Sequence, residues 1–209
     1  MSTWLVLTAA LLWLSTVGMM IVKTPHTMIL MYRIQALSEA GVAAQLAILG
    51  HRPVLWAVVT LIVVLKLCII PGAVSRWLTP LQDVYGAHGP IGVTALLILA
   101  LVLSGGGILI GRLGLPDPLP VGLVFAAMLV TFVQLSGRYE VWSLLWGILS
   151  LETVVDIGAL MLGTDMPAIL EVGIGVTGLA LALVLAYTAA QVRRIKHTLD
   201  VRDLEELIG

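Results

Sequence analysis

Apolar residues fill most of this chain in blocks of about 20, and the breaks between blocks are short clusters of Pro, Gly and charge. Crossing the hydrocarbon core of a bilayer takes roughly 20 mostly apolar residues in a helix. The pattern predicts seven such helices, at about 2–22, 27–49, 54–78, 90–113, 118–136, 140–163 and 167–191. Turn chemistry marks the breaks: Pro25, Gly50-His51-Arg52-Pro53, Thr79-Pro80, Gly89-Pro90, Pro116-Asp117-Pro118, Ser136-Gly137-Arg138 and Asp165-Met166-Pro167. Only the link at about 79–89 and the tail 192–209 leave room for irregular or amphipathic structure. The expected fold is an all-α polytopic membrane protein, a single integral membrane domain over 1–209 without a soluble domain.

Composition sharpens this. The 209 residues are 60% hydrophobic and 11% charged, where soluble domains carry about 25% charge, and the mean hydropathy is +1.09. A net charge of -1 with no dense Lys/Arg cluster excludes a nucleic-acid partner. The single cysteine, Cys68, permits no internal disulfide and no thiolate cluster, and His26, His51, His88 and His197 lack metal-ligand spacing. No metal or other cofactor is expected, and no nucleophile–base arrangement suggests a catalytic site. The first apolar stretch lacks a basic n-region and a small-residue cleavage site, so it reads as a retained helix.

Lys/Arg placement gives an orientation. An external N-terminus puts Lys23, Arg76, Arg138, Arg193, Arg194, Lys196 and Arg202 on the cytoplasmic side, against Arg52 and Arg112 outside. The expected location is the cell inner membrane, multi-pass, with the C-terminal tail cytoplasmic.

Against this apolar background Glu39, Lys66 and Glu152 each fall near the middle of a separate predicted span. An unpaired charge there costs at least roughly 2.5–3.5 kcal/mol, so such groups face protein or water and often mark an ion or proton path. Asp156 follows Glu152 by four residues and shares its helix face, about 6 Å along the axis. Two acids so close in low dielectric cannot both ionise cheaply, which suits a proton relay. The plainer reading is a neutral Glu152 hydrogen-bonded to a neighbouring helix. Lys66 precedes Pro71 by five residues, too deep to snorkel easily. It can exchange a proton with a carboxylate, or serve as a fixed countercharge between helices. Glu39 lies six residues, about 9 Å, from Arg33, so its partner is expected on another helix, while Arg33 reads as a snorkelling residue. Ser104-Gly105-Gly106-Gly107 has no preceding strand and reads as close helix packing or a kink, not a phosphate loop. The proton-path candidates are Glu152, Lys66, Glu39 and Asp156.

Several residues carry a family resemblance. Gly147 to Glu152, Pro167, Glu171-Val-Gly-Ile174, the tail Arg194-Ile-Lys-His-Thr-Leu-Asp-Val201 and the ending Leu204-Glu-Glu-Leu-Ile-Gly209 resemble component E of hydrogenase-4 and formate-hydrogenlyase-type membrane complexes. Lys23, twelve residues before Gln35, and Lys66, five before Pro71, stand at the family's spacing. The C-terminal part of that family is similar to subunit K of NADH:quinone oxidoreductase, which has two intramembrane glutamates. Glu152 matches the first of them. The acidic position of the family's last helix falls at Thr177, a departure for which Asp156, one helix away, is the candidate substitute. Glu39 and Asp156 rest on the residues alone.

The resemblance implies a membrane subunit of a group 4 nickel–iron-hydrogenase-like or formate-hydrogenlyase-like oxidoreductase complex, contributing to proton translocation along its membrane arm. Its partners would be antiporter-like and subunit-H-like membrane subunits, a peripheral redox arm and the lipid bilayer. Redox chemistry and metals would belong to those partners. The alternative is a non-conducting scaffold that joins the redox arm to the antiporter-like subunits.

Overall fold

The computed structural model describes residues 3–22, 24–51, 53–78, 92–113, 117–137 and 141–162 and, of the last segment, 176–178, 180, 181, 183–185, 187, 188 and 191. The expected link at 79–89, the start of the span at 167–191, the tail 192–209 and several of the charges used for orientation lie outside the described residues. The fold is all-α. Helices α1 (Thr3–Ile21), α2 (Pro25–Leu49), α5 (Val93–Gly111), α6 (Pro118–Gly137) and α7 (Val141–Met161) each occupy one predicted span. The third span is built differently from expectation: α3 (Val54–Ile62) and α4 (Ile70–Leu78) are joined by a π-helical segment, Val63–Ile69. Every described residue between 176 and 191 is helical.

Among the described residues, five helices are long and apolar enough to cross a membrane: Thr3–Ile21, Val54–Arg76, Thr94–Gly111, Pro118–Ser136 and Ser143–Met161. Helix α2 is more polar because it carries Arg33, Gln35, Glu39 and Gln45, yet its 25 residues reach about 37 Å. The bundle is apolar on its surface as well as through most of its core, and its polar side chains are gathered inside it. Leu37, Leu101, Val102 and Leu109 are exposed on its surface, while Thr16, Gln35, Glu39, Lys66, Ser150 and Thr153 are buried. Lipid as apolar as leucine leaves little hydrophobic drive between helices, so polar contacts and close packing must hold them.

Helix α1 packs on α2, α5 and α6, and α2 packs on α3, the π segment and α7. Helices α5 and α6 form the closest pair. A Cβ on Gly107 would strike the Ala126 backbone, one on Gly111 would come within 2.7 Å of the Gly122 backbone, and one on Gly122 within 2.9 Å of Ile108 Cα. The glycine run therefore means packing: α5 continues as a regular helix through it, and the critical residue is Gly107, since Gly105 meets nothing. The predicted turns are also tight, with His51 and Asp117 at φ 49° and 51°, a left-handed region that His and Asp enter more readily than most residues.

Candidate functional site

The four ionisable residues singled out from the sequence meet at one place. Glu39 comes from α2, Lys66 from the π segment, and Glu152 and Asp156 from α7. Lys66 Nζ donates to both carboxylate oxygens of Glu39 at 3.0 Å and to Oδ2 of Asp156 at 2.6 Å. Glu152 Oε1 stands 3.7 Å from the same nitrogen. Lys66 and Glu39 are each 3% exposed, Glu152 and Asp156 16% and 18%. The partner expected for Glu39 on another helix is thus Lys66, while Arg33 lies on the exposed face of α2.

The backbone that delivers Lys66 follows from its sequence. Val58, Ile62, Lys66, Ile70 and Val74 recur every fourth residue, and all are buried. In an α-helix of 3.6 residues per turn, a stripe of period four drifts by roughly 40° at each step, which would carry Lys66 or its neighbours off the interface. Wider π-turns keep it in line. Ile70 N–H bonds the carbonyl of Leu65, five residues back, and Pro71 has no N–H to draw the chain back into α-helical pairing at the next position.

Magnitude decides whether these charges must be paired. Four isolated charges at mid-helix depth would cost about 10–14 kcal/mol on the insertion scale, comparable with the whole stability of a domain, about 5–15 kcal/mol. Convergence removes most of that cost but does not balance the site. One ammonium faces three carboxylates, so full ionisation would leave two negative charges without a partner. The site thus holds more acid than its single ammonium can pair.

Around the cluster lies a buried polar layer that sequence reasoning missed. Tyr32, Gln35 and Glu39 fall on one face of α2, and Trp146, Ser150 and Thr153 on one face of α7. Gln35 Nε2 donates to Thr16 Oγ1 at 3.0 Å and to Ser150 Oγ at 2.9 Å, tying α1, α2 and α7 together one turn from Glu39. The Tyr32 ring packs on Trp146 with centroids 5.1 Å apart. Buried oxygens of Tyr32, Gln35, Glu152 and Thr153 have no hydrogen-bond partner among the described residues. The sequence hint was the i, i+3, i+7 recurrence of Tyr, Gln and Glu in a helix whose other residues are largely apolar.

Thr177, where the resemblance would put an acid, is exposed on the last helix, and its neighbour Gly178 takes the buried place. No group of three His, Cys, Asp or Glu suited to a metal ion occurs among the described residues. Comparison with protein-family models, curated proteins and solved structures gives no match to this chain.

Proposed function

We propose that the chain is a proton-handling membrane subunit, with Glu39, Lys66, Glu152 and Asp156 as its exchange site. The observation that carries this reading is one buried lysine within 3.7 Å of three acids from two other helical elements. Lys66 can hold only some of these acids in pairs at once, so a proton arriving on one of them releases the ammonium to another. Because three acids face one ammonium, a proton gained by the cluster reduces its excess negative charge, and passing it on restores the starting state. Burial by apolar helix faces keeps bulk water from short-circuiting the exchange.

The proposed setting is the membrane arm of a group 4 hydrogenase-like or formate-hydrogenlyase-like complex in the cell inner membrane, N-terminus outside and tail cytoplasmic. This rests on the resemblance of Gly147 to Glu152 and of the tail, and on Lys/Arg placement. Redox chemistry would be supplied by the peripheral arm, and antiporter-like and subunit-H-like subunits would continue the path. The short Lys66 contacts to Glu39 and Asp156 also fit a scaffold that only locks α2, the π segment and α7.

Glu152→Gln separates the two, because Glu152 makes no hydrogen bond to a described residue and its loss should disturb assembly little. In the assembled complex in proteoliposomes, proton pumping coupled to electron transfer should fall while the redox reaction with artificial acceptors persists. An assembled mutant that pumps normally makes the subunit a scaffold. Copurification of hydrogenase-type subunits with the tagged chain tests the setting independently.

A further inference from the structure

We infer that Gly178 is a positioning residue for the Glu152 carboxylate: the last helix lacks a side chain there so that the acid can stand at the Lys66 cluster. The inference rests on the proton-handling reading for its consequence, though not for its geometry. Among its described neighbours, Val176, Thr177, Ala180 and Leu181 are exposed, and Gly178 is the residue turned inward. A Cβ at Gly178 would strike both oxygens of the Glu152 carboxylate and come within 2.7 Å of its Cδ, far inside the roughly 3.5–4.0 Å at which carbons pack.

A helix interior disfavours glycine by about 1 kcal/mol relative to alanine, so local propensity gives no reason for it. The reason is the space above it. Among the described residues neither oxygen of Glu152 has a hydrogen-bond partner, and Lys66 Nζ is 3.7 Å away. No directed bond from a described residue therefore fixes this carboxylate. Its place is set by the ammonium's field on one side and by the bare backbone of Gly178 on the other. Glu39 and Asp156 are held by short bonds to Lys66, which leaves Glu152 as the acid most easily displaced and Gly178 as the residue that limits where it goes.

Because the group in the way is the end of a flexible side chain, Gly178→Ala should move the carboxylate and leave the helix in place. The test uses the full-length chain in lipid, with the infrared band of the Glu152 carboxyl assigned by its loss in Glu152→Gln. Gly178→Ala should shift that band, and proton pumping by the assembled complex should drop roughly 10- to 100-fold, the effect of an ångström-scale misplacement of a reacting group. Glu152→Asp/Gly178→Ala, in which a shorter acid makes room for the methyl, should recover much of the loss. An unchanged band overturns the positioning role whatever the pumping. A shifted band with normal pumping upholds the positioning role and overturns the proton-handling reading instead. If Gly178→Ala does not fold, a folded Glu152→Asp/Gly178→Ala double mutant supports the inference, and a double mutant that is equally unfolded overturns it.

Discussion

Lys66 Nζ lies 2.6 Å from Asp156 Oδ2, nearer than to any oxygen of the other two acids around it. Asp156 is thus an integral member of the cluster, and α7 contributes two acids one turn apart to a single ammonium. This stoichiometry makes the site asymmetric. Removing any one acid leaves Lys66 with two others, whereas removing the lysine leaves three acids facing one another.

The asymmetry sets the order of stabilities. Lys66→Met should destabilise the chain by about 3–5 kcal/mol, the cost of breaking a buried ion pair from one side. Glu39→Gln and Asp156→Asn should cost less, and Glu152→Gln least, below about 1 kcal/mol, since its contact is longer and partly exposed. Lys66→Met/Asp156→Asn should regain part of what Lys66→Met loses. Thermal unfolding in detergent measures the series. Equal costs for all four single mutants would show that the ammonium is not the common partner.

Much of this cluster was legible in the sequence because charge is rare in this chain: Glu39, Lys66 and Glu152 stand out against apolar runs, and the i, i+4 spacing put Asp156 beside Glu152. Helix positions were legible for the same reason, since span length and turn residues are local properties. The inward face of each helix was not. In a span that is apolar all round, lipid-facing and buried positions have the same composition, so periodicity says little about burial. The stripe Val58, Ile62, Lys66, Ile70, Val74 hid among equally apolar neighbours, and the π segment hid with it. Nor can composition rank 21 glycines; only the approach of α6 to α5 and of the last helix to Glu152 shows which lack room for a methyl.

Cysteine scanning can read the π segment directly. In a Cys68→Ser background, single cysteines from 58 to 74 should react least with a membrane-permeant maleimide at 58, 62, 66, 70, 71 and 74, the positions now buried. A regular α-helix would move the later minima to about 69 and 72. Ile69, 42% exposed in this structure, is the most discriminating site. A protected cysteine at 69 with a reactive one at 70 would rule out the period of four.

Two glycines of one run, alike in sequence, should respond oppositely to the same methyl. Gly105→Ala meets open space and should gain up to about 1 kcal/mol from helix propensity. Gly107→Ala forces its Cβ into the Ala126 backbone, which cannot swing aside as a side chain would, and should lose about 1–3 kcal/mol as α5 and α6 separate. Unfolding temperatures of the two mutants, measured in the same detergent, decide the matter. Losses of similar size would show that the glycine run acts through helix flexibility and not through contact.

An acid introduced at position 177 gives the sharpest comparison with the resembling family. Thr177 is exposed while Gly178 faces Glu152, so Thr177→Asp would place its carboxylate on the outer surface of the last helix and away from Lys66. In the chain alone that surface meets lipid, where an aspartate near mid-span costs roughly 2.5–3.5 kcal/mol. A partner subunit covering the helix with polar groups would remove most of that cost. Thr177→Asp should therefore destabilise the isolated chain and be much better tolerated in the assembled complex. Thermal unfolding of the mutant with and without its partners gives both values. Equal destabilisation in the two states would show that no polar partner surface covers Thr177, and a stable isolated mutant would show that residue 177 reaches the interior after all.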